Sequence, residues 1–304
     1  MQMKQMKMYL MNTMKDQDWA EVLEQGALKS LQGLSEQNIG WTSPYGAGSD
    51  ELFFAYGHFL VLCATTQKRL LPQSVVNEQS FDIIQEREEQ EQRPLSKREK
   101  SKIKEEVKNS LLSQAFVRRK KTKVLINLQE GWIAVETNNA DEADRVLSLM
   151  HDCFSDFHPR RVELPDMSDL LTKWLDQQNV NDVFSLDADV VMVNAAFKRN
   201  ALRMSAQDLA SDEIRSALLA GKRVQKLGMQ WHEKISFILD DEGQLSRIKF
   251  LGEFEEAEED EQHLSVEDKM LREFMLVIPY YQQLWHGLCQ LLNITIDQEE
   301  ASHA

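Results

Sequence analysis

Residues 96–137 read SKREKSKIKEEVKNSLLSQAFVRRKKTKVLINLQEGWIAVET. The stretch opens on Ser96 with Glu99 three residues on, the pair that caps a helix N-terminus reciprocally. Ile103, Val107 and Leu111 then recur every four residues and give the helix a narrow apolar stripe. At 100° per residue, Lys97, Lys100, Lys104 and Lys108 fall within an arc of about 80° beside that stripe. The period then changes from helix to strand. Residues 123–128 and 132–137 flank Gln129-Glu130-Gly131 and read as a β-hairpin. A helix running directly into an antiparallel hairpin places the chain in the α+β class.

Working toward the N-terminus, Pro94 breaks a polar stretch over 73–115 into two helices. Before it, 59–64 (FLVLCA) is a buried strand and 40–49 (GWTSPYGAGS) a loop. Residues 16–31 form a helix with Trp19, Val22, Leu23 and Leu28 on one side, and 7–11 a first strand. Toward the C-terminus, Asn139 with Glu142 caps a helix reaching Phe154, and Pro159 and Pro165 mark a boundary. A helix over 168–178, a strand over 189–197 and a helix over 211–220 follow. A strand pair, 234–239 and 245–251, then turns at Asp240-Asp241-Glu242-Gly243. An acidic run at 253–261 precedes a helical pattern over 266–294 that Pro279 interrupts. These readings divide the chain into an N-terminal α+β unit (1–72), a helical basic arm (73–122), a hairpin and helix completing the first lobe (123–165), and a C-terminal α+β lobe (166–304).

Charge is distributed against the average. The 304 residues carry a net charge of −15, yet residues 97–123 hold eleven Lys or Arg against three Glu. Part of that window reads as a solvated helix with i,i+4 pairs. Arg118-Arg119-Lys120-Lys121, with Lys123 beyond, has no acid within it, and such repulsion needs an anion or water to screen it. Phosphates of nucleic acid are the expected partner. Lys198, Arg199, Arg203, Lys222, Arg223 and Lys226 are secondary candidates. Lysines on a helix and an Arg/Lys cluster position a protein on phosphates without reading bases. Neutralising about six phosphates implies a log–log salt slope near −5. An acidic bulk favours an enclosed positive channel, which a dimer closing around duplex DNA would build.

Catalytic and metal signals are poor. His151, Cys153 and His158 lack ligand spacing, and Asp240, Asp241 and Glu242 sit where a turn uses them. No phosphate-binding glycine motif appears, and Gly46-Ala47-Gly48-Ser49 is too short to be one. The reading is therefore a protein without enzymatic activity, cofactor or metal. Cys63, Cys153 and Cys289 are odd in number and far apart, which favours free thiols and a cytoplasmic setting. No apolar run is long enough to span a membrane.

Several motifs together resemble the RdgC family of recombination-associated bacterial DNA-binding proteins. They are Gly40-Trp41-x-x-Pro44-x-Gly46-x-x-Ser49-Asp50, Leu62-Cys63-Ala64, Leu71-Pro72 and Ser110-Leu111-Leu112-x-x-Ala115-Phe116. Gln207-Asp208-Leu209-x-x-Asp212-Glu213-Ile214 and Ala220-Gly221-Lys222-x-Val224-x-Lys226-Leu227 follow, then Trp231 and Arg247-x-Lys249-Phe250. The resemblance implies a nucleoid-associated homodimer closed into a ring around duplex DNA. It implies binding without sequence preference and opposition to RecA-driven strand exchange through the DNA. It also implies that Phe116 makes a subunit contact. The expected DNA contacts are Lys97, Lys100, Lys104, Lys108, Arg118, Arg119, Lys120 and Lys121. A second class stays open, a protein-interaction module whose basic arm docks an acidic partner; a nuclease or nucleotide-dependent enzyme is a third.

Overall fold

The computed structural model describes residues 2–12, 18–46, 48–154, 156–194, 201–205, 209–252 and 265–296. Gln207, Asp208, Lys198, Arg199 and the acidic run at 253–261 lie outside them. Within the described residues the chain is α+β, with seven helices and a large antiparallel sheet.

The first half of the sheet is built on two long strands. β1 (Gln5–Met11) is followed by α1 (Trp19–Gln25), β2 (Gln37–Thr42), β3 (Phe53–Tyr56) and β4 (Phe59–Leu70). α2 (Gln73–Glu91) and α3 (Lys97–Gln114) form the hairpin expected around Pro94. The Ser96–Glu99 capping box is present in both directions, a feature worth about 1 kcal/mol. β5 (Phe116–Asn127) and β6 (Trp132–Val135) follow, then α4 (Ala140–Cys153) with Asn139 accepting from the Glu142 N–H. β7 (Pro159–Arg161) pairs with β1. The second half contains α5 (Met167–Gln177), β8 (Phe184–Asn194), β9 (Ala201–Met204), α6 (Asp212–Leu219), β10 (Lys222–Trp231), β11 (Ile235–Asp240), β12 (Leu245–Phe250) and α7 (Val266–Leu292).

The strand order is β2-β4-β5-β6-β1-β12-β11-β10-β8-β9, with β3 added on β4. β1 and β12 pair over Gln5↔Ser246 and Met6↔Leu245, so one ladder runs through both halves. Tyr281 reinforces this join from α7: its hydroxyl accepts from Met3 N–H at 2.7 Å and lies 3.2 Å from Met3 O. One face of the first half packs on α4 and α1 through Leu60, Leu62, Val124, Ile126, Val146 and Met150. The opposite face and the second half share a larger core with α5, α6 and α7. α2 and α3 keep a small core of their own: Val76, Leu95, Ile103 and Val107.

Four local expectations change. The first helix stops at Gln25 rather than Leu31, because Gly26 is where the chain turns close under Trp41. A Cβ there would lie 2.5 Å from Cys153 Sγ, and Leu28 N–H bonds Trp41 O. Gly40, Trp41 and Thr42 are strand, not loop; a Cβ on Gly40 would meet Leu28 Cα at 2.5 Å. Pro159, read as part of a boundary, opens a short strand. α7 runs through Pro279 without a break. Pro279 and Met275, whose carbonyl loses its donor, are both exposed, so water substitutes, while Val277, Ile278 and Tyr281 hold the buried face.

Candidate nucleic-acid interface

The densest basic segment is a strand. All twelve residues of β5 pair with β4, from Phe116↔Leu70 through Arg119↔Gln67 to Asn127↔Phe59. Side chains alternate across a strand, so five neighbouring cations are divided between two faces. Phe116, Arg118 and Lys120 share the face that leads to Val124, Ile126 and α4. Arg119, Lys121 and Lys123 share the other. Lys68 of β4 stands opposite Arg118 and adds a cation that the sequence reading did not select.

The members of the cluster are not equivalent. Lys120 makes an ion pair with Glu142, the buried acid of α4. Glu142 also accepts from Thr122 Oγ1 at 2.6 Å and Thr137 Oγ1 at 3.1 Å. Burial alone would raise the Glu142 carboxyl; the bonds from Lys120, Thr122 and Thr137 outweigh it and hold the group below the usual carboxylate range. Lys120 is thus a structural cation, which departs from its expected role on phosphate. Arg118, Arg119 and Lys121 are exposed, with no ion pair among the described residues.

The lysines of α3 divide in the same way. Lys100 pairs with Glu88 of α2 at 2.8 Å, and Lys108 pairs with Glu36 ahead of β2. Both acids are held below their usual range, in each case first by the hydrogen bond from the lysine. Lys97 and Lys104 are exposed and without an ion pair among the described residues. The expected row of four ammonium groups is therefore two free cations and two that tie the α2–α3 hairpin together or to the sheet. Phe116 stands 86 % exposed at the start of β5, so its ring is not packed in the core of its own subunit.

A second basic surface lies in the other half of the sheet. A groove of about 1060 Å³ is lined by Lys4, Arg203, Lys226, Arg247 and Lys249, with Asp189 as its one carboxylate among the described residues. Val191, Ile238 and Ser246 lie along its bed. Lys226, Val191 and Arg203 are directly opposite one another on β10, β8 and β9. A bulge between β11 and β12 falls at Arg247, whose φ of 51° lies in the left-handed region; such a bulge re-aims its side chain. Arg247 lies 3.4 Å from Asp189, and Lys226 lies 3.7 Å from Asp240. Asp240 is occupied as a turn acceptor from Glu242 N–H and Gln244 N–H. Among the described residues no three His, Cys, Asp or Glu side chains are grouped to hold a metal.

The two basic surfaces meet. Lys123 Nζ donates to Gln2 O at 3.3 Å, and Gln2 lines the groove. The β5 face bearing Arg119, Lys121 and Lys123 therefore reaches the groove rim, whereas Phe116 and Arg118 point to the opposite face. The sequence names Arg203 and Lys226 as secondary candidates but does not single out Lys4, Arg247 and Lys249 as groove cations. The local signal for Arg247 and Lys249 is the alternation in Leu245–Phe250; Lys4 has none, since the groove itself comes from strand pairing far along the chain. No helix among the described residues is long and apolar enough to cross a membrane.

A family profile described as "Putative exonuclease, RdgC" matches residues 1–295. Curated relatives named "Recombination-associated protein RdgC" match over most of both chains. One from Tolumonas auensis is 33 % identical over 247 residues, covering 81 % of this chain and 82 % of its own. One from Yersinia pestis is 30 % identical over 255 residues, 84 % of each. One from Pseudoalteromonas translucida is 27 % identical over 279 residues, 91 % of this chain and 92 % of its own.

Proposed function

The chain belongs to the RdgC family, and on that premise we propose that it is a recombination-associated protein that binds duplex DNA through phosphates, without sequence preference. The single observation that carries this reading is the groove where, among the described residues, five cations face one carboxylate, in a chain whose net charge is −15. A polyanion is what such a local field selects. Strand-borne Lys and Arg positioned along a groove bed contact backbone and leave base edges unread.

The phosphate track in this proposal comprises Lys4, Arg203, Lys226, Arg247 and Lys249, extended by Lys123, Lys121 and Arg119. Two copies closed into a ring would enclose the duplex and keep the acidic exterior away from it. The exposed Phe116 ring supplies an apolar subunit contact, of the aromatic kind that anchors interfaces. Occupying the duplex in this way would oppose RecA-driven exchange without contact with RecA. The setting is the bacterial nucleoid, and no hydrolytic step is part of the reading.

The test is fluorescence anisotropy with linear and circular duplex across a salt series, beside a mass measurement in solution. A dimer whose affinity falls steeply with salt, alike for unrelated sequences, is expected. A monomer indifferent to DNA at low salt refutes the proposal. Displacement of DNA and of an acidic protein with equal ease would instead favour a general anion-docking module. The exonuclease wording of the family profile supports a second reading. Magnesium-dependent shortening of duplex ends by the purified protein, lost in a groove variant, would establish it.

A further inference from the structure

A second cavity, away from the basic groove, has the build of a small-molecule site. It measures about 380 Å³, within the range of ligand pockets. Its walls come from β1, the β11–β12 turn, the segment after β7 and the C-terminal half of α7. The body is apolar: Met8, Leu164, Leu239, Leu245, Leu288 and Ile294 line it. The wall at Gly243 is fixed by close approach. That glycine has φ +73°, and a Cβ on it would sit 2.4 Å from Leu164 Cδ1.

Two features at this cavity call for an anionic partner. Lys7 lines it, with a side chain only 15 % exposed. Its one ion-pair partner among the described residues, Glu242, is 3.4 Å away and itself 69 % exposed. Arg161 and Ala140, the first residue of α4, complete the rim, and a helix start adds positive potential there. The acids nearby are Glu242 on the rim, Asp141 in the first turn of α4, and Asp144, which acts on the lining residue Tyr9.

We propose that this cavity binds a small amphipathic carboxylate, its alkyl or aryl body against Leu239, Leu245 and Leu288 and its carboxylate drawn to Lys7 and Arg161. The cations select the charge, and the apolar walls select the body. Nothing in this site depends on the DNA track, which lies on other residues.

The test uses the full chain and decanoate as the probe, with decanol as the uncharged control, by calorimetry and tryptophan fluorescence. Saturable one-to-one binding of decanoate is expected, with decanol weaker by about tenfold, the scale of one charge-assisted hydrogen bond. Arg161→Gln and Lys7→Met should each remove most of that discrimination. Leu288→Trp should fill the cavity and abolish binding. If Leu288→Trp lowers thermal stability, the surface variant Arg161→Gln decides alone. Equal affinity for decanoate and decanol, or decanoate binding unchanged in both cation variants, overturns the proposal. Duplex affinity of the same variants should stay at the parent value.

Discussion

The division of the basic strand between two faces makes a quantitative prediction. Each phosphate neutralised on a duplex contributes about −0.9 to the log–log salt slope. Replacing Arg119 and Lys121 with Ala removes two cations from the face that joins the groove at Lys123, so the slope should flatten by about 1.8. Arg118→Ala removes a cation from the opposite face and should leave the slope where it was. Lys120→Ala should also leave the slope alone, because its ammonium is already paired with Glu142. Its cost should appear instead as stability. The buried carboxylate would keep only Thr122 and Thr137, and a loss of about 1–2 kcal/mol is expected. That lies below the range for a fully buried pair, since the lysine side chain is 45 % exposed. Anisotropy titrations between about 50 and 200 mM salt measure the slopes, and urea unfolding measures the stabilities. Arg118→Ala flattening the slope as much as Arg119→Ala would refute the face assignment. A full unit of slope lost in Lys120→Ala at unchanged stability would refute the structural role of that lysine.

Other expectations follow from the same geometry. Arg247→Ala with Lys249→Ala should flatten the slope by about 1.8 for every duplex sequence alike; loss confined to one sequence would contradict phosphate-only contact. Phe116→Ser should shift the mass in solution toward the monomer and loosen retention on circular duplex, with the melting temperature nearly unchanged, because the ring is 86 % exposed; a collapse of melting would mean it packs within the subunit. Glu142 should shape the acid limb of stability. Its folded pKa is depressed, so its contribution is complete above the unfolded carboxylate value near 4.3 and is lost as pH falls further. Lys120→Met should make that limb shallower, as unfolding free energies between about pH 2 and 5 would reveal. Gly40→Ala should cost about 1–3 kcal/mol, since the new methyl meets the Leu28 backbone; an unchanged denaturation midpoint would show that the two segments part freely.

What could be read in the sequence was what is local. The α2–α3 hairpin is written into Pro94, the Ser96–Glu99 box and the Ile103, Val107, Leu111 stripe, so its ends came out within a residue or so. The hairpin after it was recognised only in its apolar half. Phe116 to Thr122 has the composition of a solvated arm, and its strand conformation is imposed by β4, a partner some fifty residues away. That non-local pairing also sorts the cations into faces, which no reading of charge runs could do. The groove was illegible for the same reason: Lys4, Arg203 and Arg247 become neighbours only once β1, β9 and β12 are in place. Pro279 failed as a break because its penalty falls on the solvent side of a helix whose other side is heavily buried.

The pairing of β1 with β12 sets the order of events during synthesis. The opening strand leaves the ribosome early, but Ser246 and Leu245 emerge some 240 residues later, and Tyr281, which clasps Met3, later still. Until then β1 has only β6 and β7 to hold it, and the Gln5–Met6 end of the edge it shares with β7 stays bare. Such late closure is slow and leaves an unpaired edge open to neighbouring nascent chains. A bulky fusion at the first methionine would obstruct the last step of assembly, whereas one placed after the final helix would leave that seam free to close.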